Sequence, residues 1–167
     1  MTYKDFTVIA RQTVLDAMQS YIGLPFQYQG RGHLFADETR AGVDCIGLVL
    51  RVAWDVGIAL EDSADYRSIA DAARLTAELE RQLRVIPVAE LAPGDVVQWR
   101  ERTAPYSPPA NVALVGWQQE RLTLIAAVLG RGVLEWGYRA PWPARVTAAY
   151  QLPGVAPWLP VMTEEVA

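Results

Sequence analysis

Asp44-Cys45-Ile46-Gly47-Leu48-Val49 is the stretch whose reading decides the fold. It holds the only cysteine of the chain and follows a loop rich in glycine and arginine. From Asp44 onward the apolar residues fall at helical spacing. Ile46, Val49, Leu50 and Ala53 share one face, and Gly57 ends the run. A cysteine in the first turn of a buried helix is a common presentation of a thiol nucleophile, because the N-terminal N–H groups favour thiolate. Such a nucleophile needs a base, most often histidine. The chain has one histidine, His33, in the loop before the cysteine, and the downstream strands carry none.

Upstream, Phe6, Ile9, Ala10, Thr13, Val14, Ala17, Met18 and Tyr21 predict a helix with one buried face, ended by Gly23 and Pro25. Residues 24–43 read as a long loop, a length that usually carries function. Downstream of the cysteine helix, Asp65 or Ser68 caps a third helix with Ile69, Ala72, Thr76, Leu79 and Leu83 as its inner stripe. The period then shortens to two. Ala92-Pro93-Gly94-Asp95 is a turn, closed by Asp95, that leads into a strand over 96–99. A proline-rich loop over 100–110 follows, then strands over 112–117, 122–128, 133–138 and 146–152. Residues 118–120 and 130–132 are hairpin links. Helices first and an antiparallel, meandering sheet second make an α+β domain over residues 1–152. Pro153, Pro157 and Pro160 predict an extended, proline-rich tail over 153–167.

Composition narrows the function. A chain of 167 residues with a formal net charge of −4 gives no electrostatic case for nucleic acid or an anionic membrane. A single cysteine excludes an internal disulfide. No apolar run reaches membrane-spanning length and no apolar h-region is visible near Met1, so neither membrane insertion nor a signal peptide is expected. One histidine and one cysteine do not make a zinc set, and the carboxylates lack calcium-loop spacing, so neither metal nor cofactor is expected. Gly30-Arg31-Gly32 and Gly130-Arg131-Gly132 are turns, since neither joins a strand to a helix as a phosphate loop does. Glu135 reads as a solvated strand residue. Trp136, Trp142 and Trp158 form an aromatic group suited to core or partner packing.

Three segments together resemble a known family: Gly23-Leu24-Pro25-Phe26, the block from Gly42 to Val49, and Leu91-Ala92-Pro93-Gly94-Asp95-Val96-Val97. They resemble the NlpC-type papain-like cysteine peptidases, the bacterial cell-wall endopeptidases. Leu124-Ile125-Ala126-Ala127 and Gly130-Arg131-Gly132-Val133 resemble the phage-tail and gene-transfer-particle branch. The resemblance covers roughly residues 6 to 152. It implies a papain-like NlpC fold with about five to six strands. It also implies a cysteine that attacks a peptide carbonyl in peptidoglycan, a base at the start of the next strand, and an orienting residue on the strand after. Matched by position, the nucleophile is Cys45, the base position is Asn111, the orienting position is Ala126, and a tyrosine near the substrate falls on Phe26. Asp44 joins Phe26 as an expected substrate-side residue. An asparagine amide takes no proton from a thiol at neutral pH, and alanine orients nothing.

Two functions follow from the resemblance. One is a catalytically degenerate domain that serves as a structural part of a phage tail tip, baseplate or hub, assembled in the bacterial cytoplasm and carried in the virion. Its partners are other tail-tip proteins, and Trp158 and Leu159 in the tail are the expected anchors. The alternative is an active cysteine peptidase that opens peptidoglycan stem peptides during DNA entry. His33 is the one candidate for a substitute base. An amidase or acyltransferase with a rearranged site is a weaker third reading.

Overall fold

The computed structural model describes residues 8–32, 42–63, 71–102 and 108–159. Expectations placed on Phe6, His33, Asp65, Ser68, Ile69 and Pro160 lie outside them. Helix α1 spans Arg11–Ser20 and buries Val14, Leu15 and Met18. It starts later than the periodicity predicts. Ile9 pairs instead with Val155 in a parallel bridge, and its N–H donates to the Gly154 carbonyl at 2.9 Å. A tertiary partner there outweighs the local helical pattern. Helix α2 spans Cys45–Asp55 and buries Val49, Leu50 and Ala53 of the predicted stripe together with Leu48 and Val52, while Ile46 is half-buried, because the helix is covered on more than one face. Helix α3 spans Ala72–Gln82. Its cap is Asp71, whose carboxylate accepts from the N–H groups of Ala73 at 3.0 Å and Arg74 at 3.3 Å.

The strands are β1 Arg84–Ile86, β2 Val96–Trp99, β3 Asn111–Gln118, β4 Arg121–Val128, β5 Gly132–Gly137 and β6 Val146–Gln151. They form one antiparallel sheet in the order β1-β6-β2-β3-β4-β5. Strands β2 to β5 make the expected meander. β6 does not extend it but returns to pair with β2, and β1 adds to its other side. Nothing in the sequence marks β1, because three residues stopped by Pro87 are too short to show alternation. The β3–β4 link is a tight hairpin in which Gln119 and Glu120 both take positive φ, 49° and 60°.

Alternation splits the sheet into two faces. Val96, Val112, Leu114, Ile125, Ala127, Val133 and Tyr150 face the helices and join the main core. Val97, Ala113, Val115, Leu124 and Ala126 form a second cluster on the outer face, with Trp99, Trp136 and Trp142 packed over it. The expected trio of tryptophans is therefore divided. Trp158 lies against Trp117, ring centroids 5.4 Å apart, away from Trp136 and Trp142. Glu135 is half-buried rather than solvated, and it accepts a hydrogen bond from Thr123 Oγ1 at 2.6 Å. Gln98 is a buried polar residue of the inner face. Its amide donates to Thr76 Oγ1 at 2.8 Å and to the Pro109 carbonyl at 2.7 Å, and it accepts from Tyr150 Oη at 3.0 Å. It thereby fixes α3 and the segment leading into β3 against one strand.

Asp95 does close the Pro-Gly turn, accepting from the Ala92 N–H at 2.8 Å. It also meets a cation that the sequence does not pair with it. Arg11 Nη1 donates to Asp95 Oδ1 at 2.8 Å and to the Pro93 carbonyl at 2.6 Å, and its Nε donates to the Ala156 carbonyl at 2.7 Å. Arg11 is 8% exposed and Asp95 is 1% exposed. Burial pushes the Asp95 carboxyl up from its ordinary value, and Arg11 opposes that shift. Removing one partner strands a buried charge, which costs about 3–5 kcal/mol. Arg11→Ala should therefore lower the unfolding free energy by that amount in a urea titration. An Arg11→Met, Asp95→Leu double substitution should recover most of it, since an apolar pair leaves no charge unpaired.

Candidate active site

The site is built around the start of α2. Asp44 is its N-cap, with extended backbone, and its Oδ1 accepts from the Gly47 N–H at 2.7 Å. Its Oδ2 accepts from the Gln29 N–H at 2.9 Å, and Arg31 Nη1 reaches Oδ1 at 3.2 Å. One buried carboxylate thus joins the helix start to the turn over residues 27–30. Both its oxygens are engaged within the chain, which makes Asp44 a scaffold residue where a substrate contact was expected. Arg31 continues outward to Asp62 through two hydrogen bonds of 3.0 and 2.9 Å. The turn lies so close to the helix that a Cβ on Gly47 would stand 2.0 Å from the Gly30 carbonyl oxygen. Phe26 pairs with Val43 and packs against the main core.

Cys45 is partly buried against that core. Its thiol is pushed up to about 11, first by loss of solvent and then by the Asp44 carboxylate beside it. The backbone N–H groups of Val112, Ile46 and Cys45 itself pull the other way without winning. The expectation that the helix start favours thiolate is therefore corrected. The capping carboxylate offsets the positive end of the dipole, and desolvation outweighs what remains. At pH 7 on the order of one molecule in ten thousand carries thiolate, against a few per cent for a free cysteine.

The contact with Val112 places the start of β3 at the sulfur. Asn111 and Ala126 lie on neighbouring strands, as expected, but their side chains do not share the face of the thiol. Asn111 stands opposite Trp99 in the β2–β3 register, and Ala126 belongs to the outer cluster. The residues of these strands on the helix side are Val112, Ile125 and Ala127. A shift of one residue in the family match changes nothing chemically, because Asn111, Val112, Ala126 and Ala127 are all without an ionisable group. The Asn111 amide forms no hydrogen bond among the described residues. No three histidine, cysteine, aspartate or glutamate side chains among the described residues come together to hold a cation. No helix among them is long and apolar enough to cross a membrane.

The sequence alone missed Arg31, read as part of a glycine turn, and the backbone N–H of Val112. A glycine on each side of Arg31 was the available signal that the backbone there passes close to something.

No protein family and no curated protein matches the chain by sequence. Solved structures match it by fold. One is an NLP/P60-family protein, similar to a lipoprotein, from Staphylococcus aureus subsp. aureus Mu50. It superposes with a TM-score of 0.56 at 19% identity over 91% of this chain and 43% of its own. Another is an NlpC/P60-family protein from Bacillus cereus ATCC 10987, with a TM-score of 0.60 at 18% identity over 87% of this chain and 41% of its own. The chain has an NlpC/P60-type fold. It spans about two-fifths of the length of these two structures. Identity at this level speaks to fold alone.

Three outcomes follow from the site. Alkylation of Cys45 by iodoacetamide should rise with pH around a midpoint near 11, rather than the ~8.5 of a free thiol. The sign for stability follows from the same shift. Below about pH 8.5 both folded and unfolded thiols keep their protons, and between there and pH 11 only the unfolded one loses its proton. Stability should fall across that window by at most ~1.4 kcal/mol per pH unit, and Cys45→Ala should remove the slope. Gly47→Ala should cost about 1–3 kcal/mol or more in chemical denaturation, because the atom in its way is backbone.

Proposed function

We propose that this chain is a catalytically silent NlpC-type domain that serves as a structural component of a phage tail tip. The observation that carries the reading is the surround of Cys45. Burial and the Asp44 carboxylate both disfavour ionisation of the thiol, and among the described residues the strand positions beside it, Asn111, Val112, Ala126 and Ala127, carry no group that could take its proton. In a nucleophile–base unit, loss of the base removes on the order of 10⁶ of the rate in the best-measured serine case. Cysteine suffers less when some thiolate is present, but here the thiolate fraction is itself suppressed. The phage assignment rests on the resemblance of residues 124–127 and 130–133 to that branch. On this reading the domain assembles in the bacterial cytoplasm and is held in the virion by other tail-tip or hub proteins.

The segment after residue 152 supports docking in a particular way. Residues 153–156 pair along Ile9, and Trp158 packs against Trp117 within the chain. Leu159 is 81% exposed. We assign the anchoring role to Leu159, and give Trp158 the task of holding the segment in place. The second reading, an active peptidase acting on peptidoglycan, draws on the capped α2 start with its cysteine in the first turn. That geometry is what such an enzyme would need to keep.

Paired substitutions in the phage separate the two. Cys45→Ala should leave particle assembly and infectivity unchanged, whereas Leu159→Ser should reduce incorporation of the chain without changing the thermal midpoint of the purified protein. Normally assembled particles that lose infectivity with Cys45→Ala would overturn the structural reading and favour the peptidase.

A further inference from the structure

Four buried side-chain polar atoms among the described residues lack a hydrogen-bond partner, and three of them belong to residues packed around one tryptophan. These atoms are Trp99 Nε1, Trp136 Nε1, Arg100 Nε and Arg145 Nε. Trp142 is at the centre of the group. Trp99 meets it edge-on with centroids 5.0 Å apart, Trp136 lies 4.9 Å away at 45°, and the Arg145 guanidinium stacks over it at 5.1 Å. Arg100 is tied in through its backbone N–H, which donates to the Arg145 carbonyl at 3.0 Å. The residues come from β2 and its end, from β5, and from the short 3₁₀ turn Trp142–Ala144 with the arginine after it. They sit over the outer face of the sheet, the face opposite the helices.

All four atoms are donors, two of them on cations, and none has an acceptor among the described residues. Packing faults scattered through a chain would mix donors with acceptors and would not gather three donors around a single ring, with the fourth on a residue whose backbone is hydrogen-bonded to that of Arg145. Buried polar groups left unpaired in a native fold ask for an explanation, and a binding surface awaiting its partner is one. The missing complement is a set of acceptors with negative charge. We infer that this end of the outer face is a docking surface for a carboxylate-bearing, extended segment of a partner protein.

Three considerations select that occupant. Tryptophan and arginine are the residues that dominate protein interface energies, and here they are clustered on one patch. The donors belong to three separate elements, which suits an extended segment whose carbonyls and side-chain carboxylates are spread along it. The chain's net charge of −4 opposes a polyanion such as nucleic acid at long range, while a short acidic segment meets only the local arginines. The four Nε atoms are covered in the free chain, so a partner reaches them by displacing side chains of the patch, of which Arg145 on Trp142 is one that is held by stacking. A stacked guanidinium at a half-exposed site is held weakly compared with the cost of unpaired buried donors, so a carboxylate can displace it. The inference is independent of whether Cys45 reacts and of where the protein is carried.

The test uses the purified full chain, labelled with ¹⁵N, and follows the indole N–H signals of Trp99 and Trp136. The probe is an end-blocked hexapeptide of alternating glutamate and glycine. Its glutamine counterpart and a single-stranded hexathymidylate are the comparisons. Both indole signals should shift saturably with the glutamate peptide, and affinity for the glutamine peptide should be about tenfold weaker or less. Arg145→Gln should weaken glutamate-peptide binding by about tenfold. Trp99→Phe should weaken it as well, while leaving the thermal midpoint of the free chain unchanged or raised, because it deletes an unpaired donor. Absence of a saturable shift, equal binding of the glutamine peptide, or tighter binding of hexathymidylate would overturn the inference. So would a Trp99→Phe variant that is destabilised yet binds as before.

Discussion

The buried pair of Arg11 and Asp95 is the constraint on which the rest of the structure hangs. Three parts of the chain far apart in sequence meet at one guanidinium: the first turn of α1, the turn that launches β2, and the backbone at Ala156. Such a pair is not chosen for net stability, since desolvation takes back much of the attraction. Its effect is one of position. Asp95 has one oxygen on Arg11 and the other on the Ala92 N–H, so the turn enters the sheet in one register. β2 is the strand at which the meander and the returning β6 meet, so its register sets both halves of the sheet.

The cysteine corner is organised by a second carboxylate in a different way. Asp44 caps α2 and holds the loop turn, and in doing so it sets a negative charge beside the only thiol. Structure and reactivity pull against each other there. A cap of this kind contributes about 0.5–2 kcal/mol to the helix, and the same carboxylate raises the thiol's resistance to ionisation. An enzyme would overcome this with an imidazolium close to the sulfur, whose charge favours thiolate. Val112 and Ala127 leave no such group on the adjoining strands, so the local electrostatics favour the neutral thiol.

Much of this was legible in the sequence, for identifiable reasons. α2, β2 and the strands from β3 to β6 carry long, clean periodicities bounded by glycine or turn residues, and the structure places them within a residue or two of expectation. What the sequence could not show depends on contacts between distant segments. The start of α1 at Arg11 depends on Ile9 pairing with residues 154–156. β1 depends on β6 being beside it. The face on which Ala126 points was misread because strand parity is fixed by register, and a family match one residue out of phase reverses it. The family block around Cys45 was specific enough to indicate the fold at an identity where no sequence comparison does. It could not indicate the charge state of the thiol, which is set by burial.

The two faces of the sheet separate what closes the core from what stays polar. On the helix side, Val112 meets the Cys45 thiol through its backbone N–H, and Val112, Ile125 and Ala127 give that face an apolar surface in the main core. A polar catalytic group in that position would need its own hydrogen-bond partners to avoid a desolvation cost. Replacing it with a small apolar residue removes that requirement, and the core closes without the group. Fold and function are separable here because what positions the elements, Arg11 with Asp95 and Asp44 with Gly47, lies outside the base and orienting positions of the family match. On the opposite face, which the helices do not cover, Trp99 and Trp136 pack with Trp142 and their indole donors are unmatched.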